Sequence, residues 1–429
     1  MLKQRRQSTI TARIVIDTIA AGGDGVGRLD GMAVFIPRTA PGDVVDAALS
    51  KQKRFARGRI TRIETASPSR VTPECQHYDG DDCGGCQLQH LSLDAQIDAK
   101  ARIVRDTLSR IGKREIELPH VERSPKAWDY RQKLTLTLIR NSATLEWVGG
   151  LHPHGQPDAV FALHECRISK PSLVAMWHAV SDASQFLPNA SELRLTLRSV
   201  ADSDNVAITL AGGSDWPDRA TFVRRLKNLA ALWWIPDEGP RVEIKSPKAD
   251  TGTTATGFVQ VNASLAGAML DHVLAQVIVF SPRRVVDAYA GTGALSLALA
   301  ERGVRVTAIE WDESAVAFMQ RTLPAGSIAM ASSVEGVIDE VLGSTDAFDV
   351  VVVNPPRVGL DARVTTALNL ERDTPLRAIL YVSCDAATLA RDLSRLPAWR
   401  IQALRCFDMF PQTAHVETVC VLVPVPEIS

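Results

Sequence analysis

The stretch Arg284-Val285-Val286-Asp287-Ala288-Tyr289-Ala290-Gly291-Thr292-Gly293 runs from an apolar strand directly into a tight glycine turn. Ala294 to Ala300 then reads as a helix, and Val304-Arg305-Val306-Thr307-Ala308-Ile309 as a second strand. Strand, glycine turn, helix and strand in that order open a nucleotide-binding α/β sheet. The second strand closes on Glu310, whose carboxylate can accept hydrogen bonds from both hydroxyls of a ribose. A dinucleotide and S-adenosylmethionine both satisfy that pattern. Only two glycines, Gly291 and Gly293, stand in the turn, and no third glycine opens the helix to a pyrophosphate. The turn therefore points to S-adenosylmethionine and methyl transfer rather than to a dehydrogenase.

Further along, Phe348 to Val353 forms another strand and ends in Asn354-Pro355-Pro356-Arg357. Asn-Pro-Pro followed by an aromatic residue is how amino-group methyltransferases hold an exocyclic nitrogen. Arg357 stands in the aromatic's place, which removes the stacking surface and argues against an amine substrate, while the Asn354 side chain can still hydrogen-bond in the cleft.

The apolar run Ala378 to Val382 leads into Ser383-Cys384-Asp385, which puts a thiol at the tip of a buried strand, on the sheet edge where ligands bind. Beside a methyl donor, that thiol has a specific use. The C5 carbon of uracil is a poor nucleophile, and addition of a thiolate to C6 enriches it in electrons. The resulting enolate attacks the sulfonium methyl, and a base then removes the C5 proton so that the thiolate can leave. Glu417, in His415-Val416-Glu417 ahead of the apolar Val419 to Val423, supplies a carboxylate for that base. Cys406 and Cys420 sit in apolar strand contexts and read as core residues.

Towards the N-terminus the pattern changes. Residues 8 to 66 read as short strands between turns, a small β-barrel, with Gly22 to Arg28 as a hairpin turn because no helix follows it. The first 70 residues carry thirteen Lys and Arg against six Asp and Glu, although the whole chain of 429 residues has a net charge of -1. Lys51, Lys53, Arg54, Arg57, Arg59 and Arg62 concentrate that excess, either as a solvated strand face or as contacts to a polyanion backbone. Next comes Cys75, followed by Cys83-Gly84-Gly85-Cys86, with Cys166 as a fourth candidate. Two thiolates flanking a Gly-Gly pair can grip one metal centre, and four sulfurs suit zinc or an iron-sulfur cluster. The alternation Leu134-Thr135-Leu136-Thr137-Leu138, with strands near 194–197 and 206–210, predicts an antiparallel sheet on which Arg131 and Lys133 can face RNA or stand as ordinary surface charges. No apolar stretch is long enough to span a membrane, and the polar, basic start resembles no secretory signal, so a cytoplasmic protein is expected.

Phe258-Val259-Gln260-Val261-Asn262, Asp287 to Gly293, Asn354 to Arg357, Ser383 to Asp385 and His415 to Glu417 resemble the successive motifs of the RNA uracil-C5 methyltransferase family. The front of the chain resembles a TRAM domain, the RNA-binding barrel of certain RNA-modifying enzymes. Barrel and cysteines together are most similar to the branch that methylates a uridine in 23S ribosomal RNA; the transfer RNA enzymes share the catalytic residues. The resemblance implies a TRAM-like barrel over 1–66 and a central, mainly antiparallel β domain over 67–92 and 122–251. It implies a Rossmann-like class I methyltransferase domain over 93–121 and 252–429. It implies Cys384 as nucleophile and Glu417 as base, with Gln260, Tyr289, Gly291, Glu310 and Asn354 at S-adenosylmethionine. It also implies a 4Fe-4S cluster on Cys75, Cys83, Cys86 and Cys166 in place of zinc. A monomer acting on RNA, with no membrane and no protein partner, is the expectation. The chain departs from the family in three places: seven residues between Cys75 and Cys83 where five are usual, Asn354 for an aspartate, and Ala386 for a proline.

Overall fold

The computed structural model describes residues 10–200, 203–246, 261–344, 347–372 and 374–426. Its strands are β1 (Ile10–Ile19), β2 (Gly25–Leu29), β3 (Met32–Ile36), β4 (Val44–Lys51), β5 (Phe55–Thr65) and β6 (Val121–Glu122). Next come β7 (Lys133–Arg140), β8 (Trp147–Leu151), β9 (Phe161–Ala162), β10 (Glu192–Ser199), β11 (Val206–Ala211), β12 (Leu229–Ile235) and β13 (Val242–Lys245). The last seven are β14 (Arg284–Ala288), β15 (Arg305–Glu310), β16 (Ile328–Ala331), β17 (Val350–Val353), β18 (Ala378–Ser383), β19 (Trp399–Phe407) and β20 (Glu417–Pro424). Two compact units emerge, one made of residues 1–72, 87–124 and 267–429, the other of 73–86 and 125–266.

In the first unit, β1 to β5 close a barrel in the order β1-β2-β3-β5-β4. Alternation explains it: Ile14, Ile16, Val34, Ile36, Val45, Ala47 and Leu49 point inward and are buried, while the residues between them, Val15, Phe35, Asp46 and Ala48, are more exposed. The stretch after β5 is tied back to the barrel by Asp43, which is fully buried. Its carboxylate accepts the Ser67 N–H at 2.8 Å and the Arg70 guanidinium at 2.7 Å.

The same unit holds an eight-stranded sheet ordered β16-β15-β14-β17-β18-β20-β19-β6. β16, β15, β14, β17 and β18 run parallel, and β20 runs antiparallel between β18 and β19. β14, β17 and β18 are near-continuous Val, Ile and Ala runs, as strands buried on both faces must be. Helix Leu93–Arg110, with Ala99, Ile103, Val104 and Leu108 buried, shares the sheet's apolar core although its start lies 191 residues before that of β14 (284 − 93).

The second unit is a seven-stranded sheet ordered β13-β12-β11-β10-β7-β8-β9, antiparallel except where β11 meets β12. Leu134, Leu136 and Leu138 of β7 lie beside Leu197, Leu195 and Leu193 of β10. Together they form one apolar face with Leu173, Met176 and Trp177 of helix Pro171–Asp182. No helix among the described residues is long and apolar enough to cross a membrane.

Candidate active site

Because β14, β15, β17 and β18 are parallel, their C-terminal ends share one edge, and antiparallel β20 brings its first residue to that same edge. Tyr289, Glu310, Asn354, Cys384 and Glu417 therefore come together by topology. Such an edge, where strand order reverses about β14, is where open α/β sheets bind ligands.

The glycine turn is built around backbone amides. Ala290 N–H donates to Ile309 O at 3.0 Å, and Gly293 N–H to Ala290 O at 3.0 Å. Gly291 lies at φ +57° and Gly293 at φ +79°, conformations that favour glycine, and a Cβ on Gly293 would meet Met319 at 2.5 Å. Glu310 is oriented before any ligand arrives: one oxygen accepts Gly291 N–H at 2.9 Å, the other Trp311 and Asp312 N–H at 2.9 and 3.0 Å. Beneath the turn Asp287 is buried and accepts the Ser296 hydroxyl at 2.6 Å, and its burial pushes the carboxyl up to about 6. Tyr289, half-buried at φ +62°, has its phenol raised by burial and by the charges of Glu335, Asp361 and Asp392. Trp311, beside Glu310, is 79 % exposed, and sequence reading passed over it. Gln260, with Phe258 and Val259, lies outside the described residues.

On the other side of the edge, Ser383 of β18 pairs with Thr418 of β20, so Cys384 and Glu417 are the next residues out on neighbouring strands. The turn after β18 is fixed by Ser383, whose hydroxyl donates to Asp385 O at 2.9 Å, and by Asp385, which accepts Thr388 N–H at 2.8 Å to start the next helix. Burial pushes the half-buried Cys384 thiol up to about 11; the Glu417 and Asp385 charges add to the rise and Arg357 opposes it. Glu417 is 4 % exposed, and burial lifts its carboxyl to about 7 against the pull of Arg357.

Arg357 thus acts on both groups, a role its sequence position did not disclose. It sits on the exposed turn after Asn354-Pro355-Pro356, and buried Asp392 holds that turn by accepting Leu360 N–H at 2.7 Å. Arg391 donates to Val358 O on the same turn at 2.7 Å. Asn354 is half-buried at the end of β17, with its N–H on Ala288 O at 3.2 Å.

The four other candidate cysteines belong to the second unit. Cys75, Cys86 and Cys166 adjoin one small apolar cluster with Tyr78, Tyr130 and Ile168. The Cys83 sulfur accepts Gly85 N–H at 3.4 Å, and that of Cys166 accepts the Ser169 hydroxyl at 3.2 Å. The four thiols are a donor set that suits an iron-sulfur cluster or zinc. Even so, no three or more His, Cys, Asp or Glu among the described residues are arranged to hold a metal ion.

Family profiles match three stretches: a TRAM domain over residues 5–61, a methyltransferase small domain over 264–373, and tRNA (uracil-5-)-methyltransferase over 333–424. An RNA methyltransferase of Thermosynechococcus vestitus, itself uncharacterised, is 31 % identical, the match covering 97 % of this chain and 98 % of that protein. The 23S rRNA (uracil(1939)-C(5))-methyltransferases of Nitrosospira multiformis and Halomonas elongata are each 29 % identical. Those matches cover 96 % and 98 % of this chain, and 98 % and 93 % of the relatives. Among solved structures, the Pyrococcus abyssi tRNA (uracil-54, C5)-methyltransferase in complex with S-adenosyl-L-homocysteine shares the fold. Its TM-score is 0.69 at 24 % identity, over 96 % of this chain and 99 % of that one.

Proposed function

The chain belongs to the TRAM-bearing family of RNA uracil-C5 methyltransferases, and from that premise we propose that it methylates C5 of one uridine in 23S ribosomal RNA. The observation that carries the chemistry is Cys384 and Glu417 side by side across β18 and β20, on the edge that also bears Glu310 and the glycine turn.

At rest the Cys384 thiol is neutral, since at about 11 only roughly one molecule in 10⁴ carries the thiolate at pH 7. Ionisation belongs to the moment of attack, and Arg357 is the cation that favours it. The Cys384 thiol gives its proton to solvent as its sulfur bonds to C6 of uracil, the C5–C6 π electrons shift to C5, and C5 takes the sulfonium methyl as the C–S bond of the donor breaks, leaving S-adenosylhomocysteine. Glu417, with a carboxyl near neutrality, removes the C5 proton; the C6–S bond breaks and the thiolate returns. A base inside a helix cannot reach this edge, so the target uridine must be unstacked. The exposed cations Lys51, Lys53, Arg54, Arg57, Arg59 and Arg62 offer phosphate contacts on and beside β5, and the Lys133 to Arg198 face of the central sheet offers more.

S-adenosylmethionine would lie with its ribose on Glu310, its chain along the Gly291 turn near Asn354 and Tyr289, and its adenine on the exposed face of Trp311, with Gln260 a further contact proposed from sequence alone. Trp311→Ala should therefore weaken S-adenosylmethionine binding about tenfold in calorimetry, the loss of one aromatic contact. Unchanged affinity would remove Trp311 from the site.

For the cysteine cluster, we propose thiolate ligation of a 4Fe-4S centre by Cys75, Cys83, Cys86 and Cys166, supported by the sulfur-only donor set and its apolar surroundings. Anaerobically purified protein should contain iron and sulfide in equal amounts, both lost in Cys86→Ala. Stoichiometric zinc would assign the site to zinc instead.

Substrate choice is tested with labelled S-adenosylmethionine and unmodified RNAs. Label in 23S RNA, released as 5-methyluridine, is the expected result. Label in transfer RNA alone would move the substrate, and label in neither would end the enzymatic reading.

A further inference from the structure

Helix Leu93–Arg110 carries two long polar side chains into the apolar core, Gln96 and Lys100, one turn apart on the same face. Gln96 is 2 % exposed and Lys100 fully buried. A buried ammonium is unfavourable without partners, and here they are specific: the Asp408 carboxylate, and Phe410 O at 2.9 Å. The Gln96 amide donates to Gln412 Oε1 at 2.9 Å and to Leu91 O at 3.0 Å, and its oxygen accepts Gln412 N–H at 2.9 Å. Gln412 O in turn accepts the N–H groups of Gln87 and Leu88 at 3.1 and 2.9 Å. Gln412 itself sits at φ +70°, a conformation held only where surroundings impose it.

Apart from the bond to Leu91 O, these ties converge on the loop between β19 and β20, and that loop delivers Glu417. Asp408, Met409, Gln412, Thr413, Ala414 and Val416 are all buried. A turn that merely joined two strands would need no buried ion pair, because apolar residues of the same volume serve stability as well or better. An anchored loop, by contrast, fixes where the first residue of β20 stands.

We propose that Lys100 and Gln96 are positioning residues for Glu417: through Asp408, Phe410 and Gln412 they hold the loop that sets this carboxylate beside Cys384. The proposal rests on the reading of Cys384 as nucleophile and Glu417 as base, and it predicts a defect in one step only. With the loop released, thiol addition and methyl transfer proceed, while removal of the C5 proton slows because the carboxylate is misplaced.

Lys100→Met alone strands the Asp408 charge, so the decisive variant is the double substitution Lys100→Met with Asp408→Leu, which removes both charges together. Gln96→Leu is the independent second test. Single-turnover reactions with labelled S-adenosylmethionine and substrate RNA read two rates: methyl incorporation, and decay of the covalent protein-RNA adduct on denaturing gels. Both variants, assayed below their melting temperatures, should incorporate methyl at the wild-type rate and release the adduct about 10²-fold more slowly, the scale of a misplaced catalytic group. Adduct release at the wild-type rate in both variants would overturn the proposal and leave the network a purely structural one. A wild-type chain that incorporates no methyl at all would instead overturn the functional reading, and this inference with it.

Discussion

Glu417→Gln is expected to be more stable than the wild-type chain at pH 8 and to stall after a single methyl transfer. Burial raises the Glu417 carboxyl from 4.5 to about 7, so the folded protein binds this proton more tightly than the unfolded one does. With that sign, wild-type stability falls as pH rises from about 4.5, and the loss is complete above about 7. The shift corresponds to about 3 kcal/mol at that upper end. Glutamine does not ionise and escapes the loss. Denaturant titrations should show the variant gaining on the wild type between pH 5 and pH 8, with the curves converging at the acid end. Asp287, raised to about 6, bends both curves alike and cancels in the difference. Equal stability at pH 8 would mean that Glu417 is not a buried, titrating group.

The kinetic half follows from the same residue. The amide has no basic electron pair for the C5 proton, and removing a positioned base costs about 10²- to 10⁴-fold in the step it serves. That step follows covalent attachment, so the variant should accumulate a methylated protein-RNA adduct, visible as a slow band on a denaturing gel. Turnover at the wild-type rate would reassign the base.

Cys384→Ala is expected to abolish methylation, with a loss of at least about 10⁴-fold, the scale seen when a catalytic nucleophile is deleted. Without sulfur at C6, C5 never becomes a nucleophile, and no group on the edge replaces it: the nearest carboxylates, Glu417 and Asp385, are acceptors of protons. Binding should survive, because Glu310 and the glycine turn are tied to each other rather than to Cys384. Calorimetry with S-adenosylmethionine separates the two, and measurable methylation by the folded variant would rule out a covalent route through this thiol.

Much of this site is legible along the chain because it is local. The Arg284 to Ala300 unit, Glu310 at its strand end and Cys384 after an apolar run announce themselves by periodicity and by glycine at φ > 0. Even the pairing of Cys384 with Glu417 follows once two apolar runs are placed in one sheet. The supports are not local. Lys100 and Gln96 meet a loop more than 300 residues away, and along helix Leu93–Arg110 they look like ordinary solvent-facing polar positions. Arg357 is similarly hidden: in sequence it marks a missing aromatic ring, whereas in space it is the cation whose charge acts on both Cys384 and Glu417. The cysteine motif reads as a metal centre from its spacing, yet spacing along the chain does not set how the sulfurs approach in space, and no three or more His, Cys, Asp or Glu among the described residues are arranged to hold a metal ion.

RNA carrying 5-fluorouridine at the target position tests the covalent route most directly. Thiol addition and methyl transfer proceed on such a base, but the fluorine at C5 cannot be removed as a proton, so the complex is trapped. Incubated with S-adenosylmethionine, digested with nuclease and protease, and analysed by mass spectrometry, the wild-type protein should yield a methylated fluorouridine attached to the peptide bearing Cys384. A trapped nucleotide on any other residue, or methylation with no trapped complex, would contradict attack by Cys384 on C6.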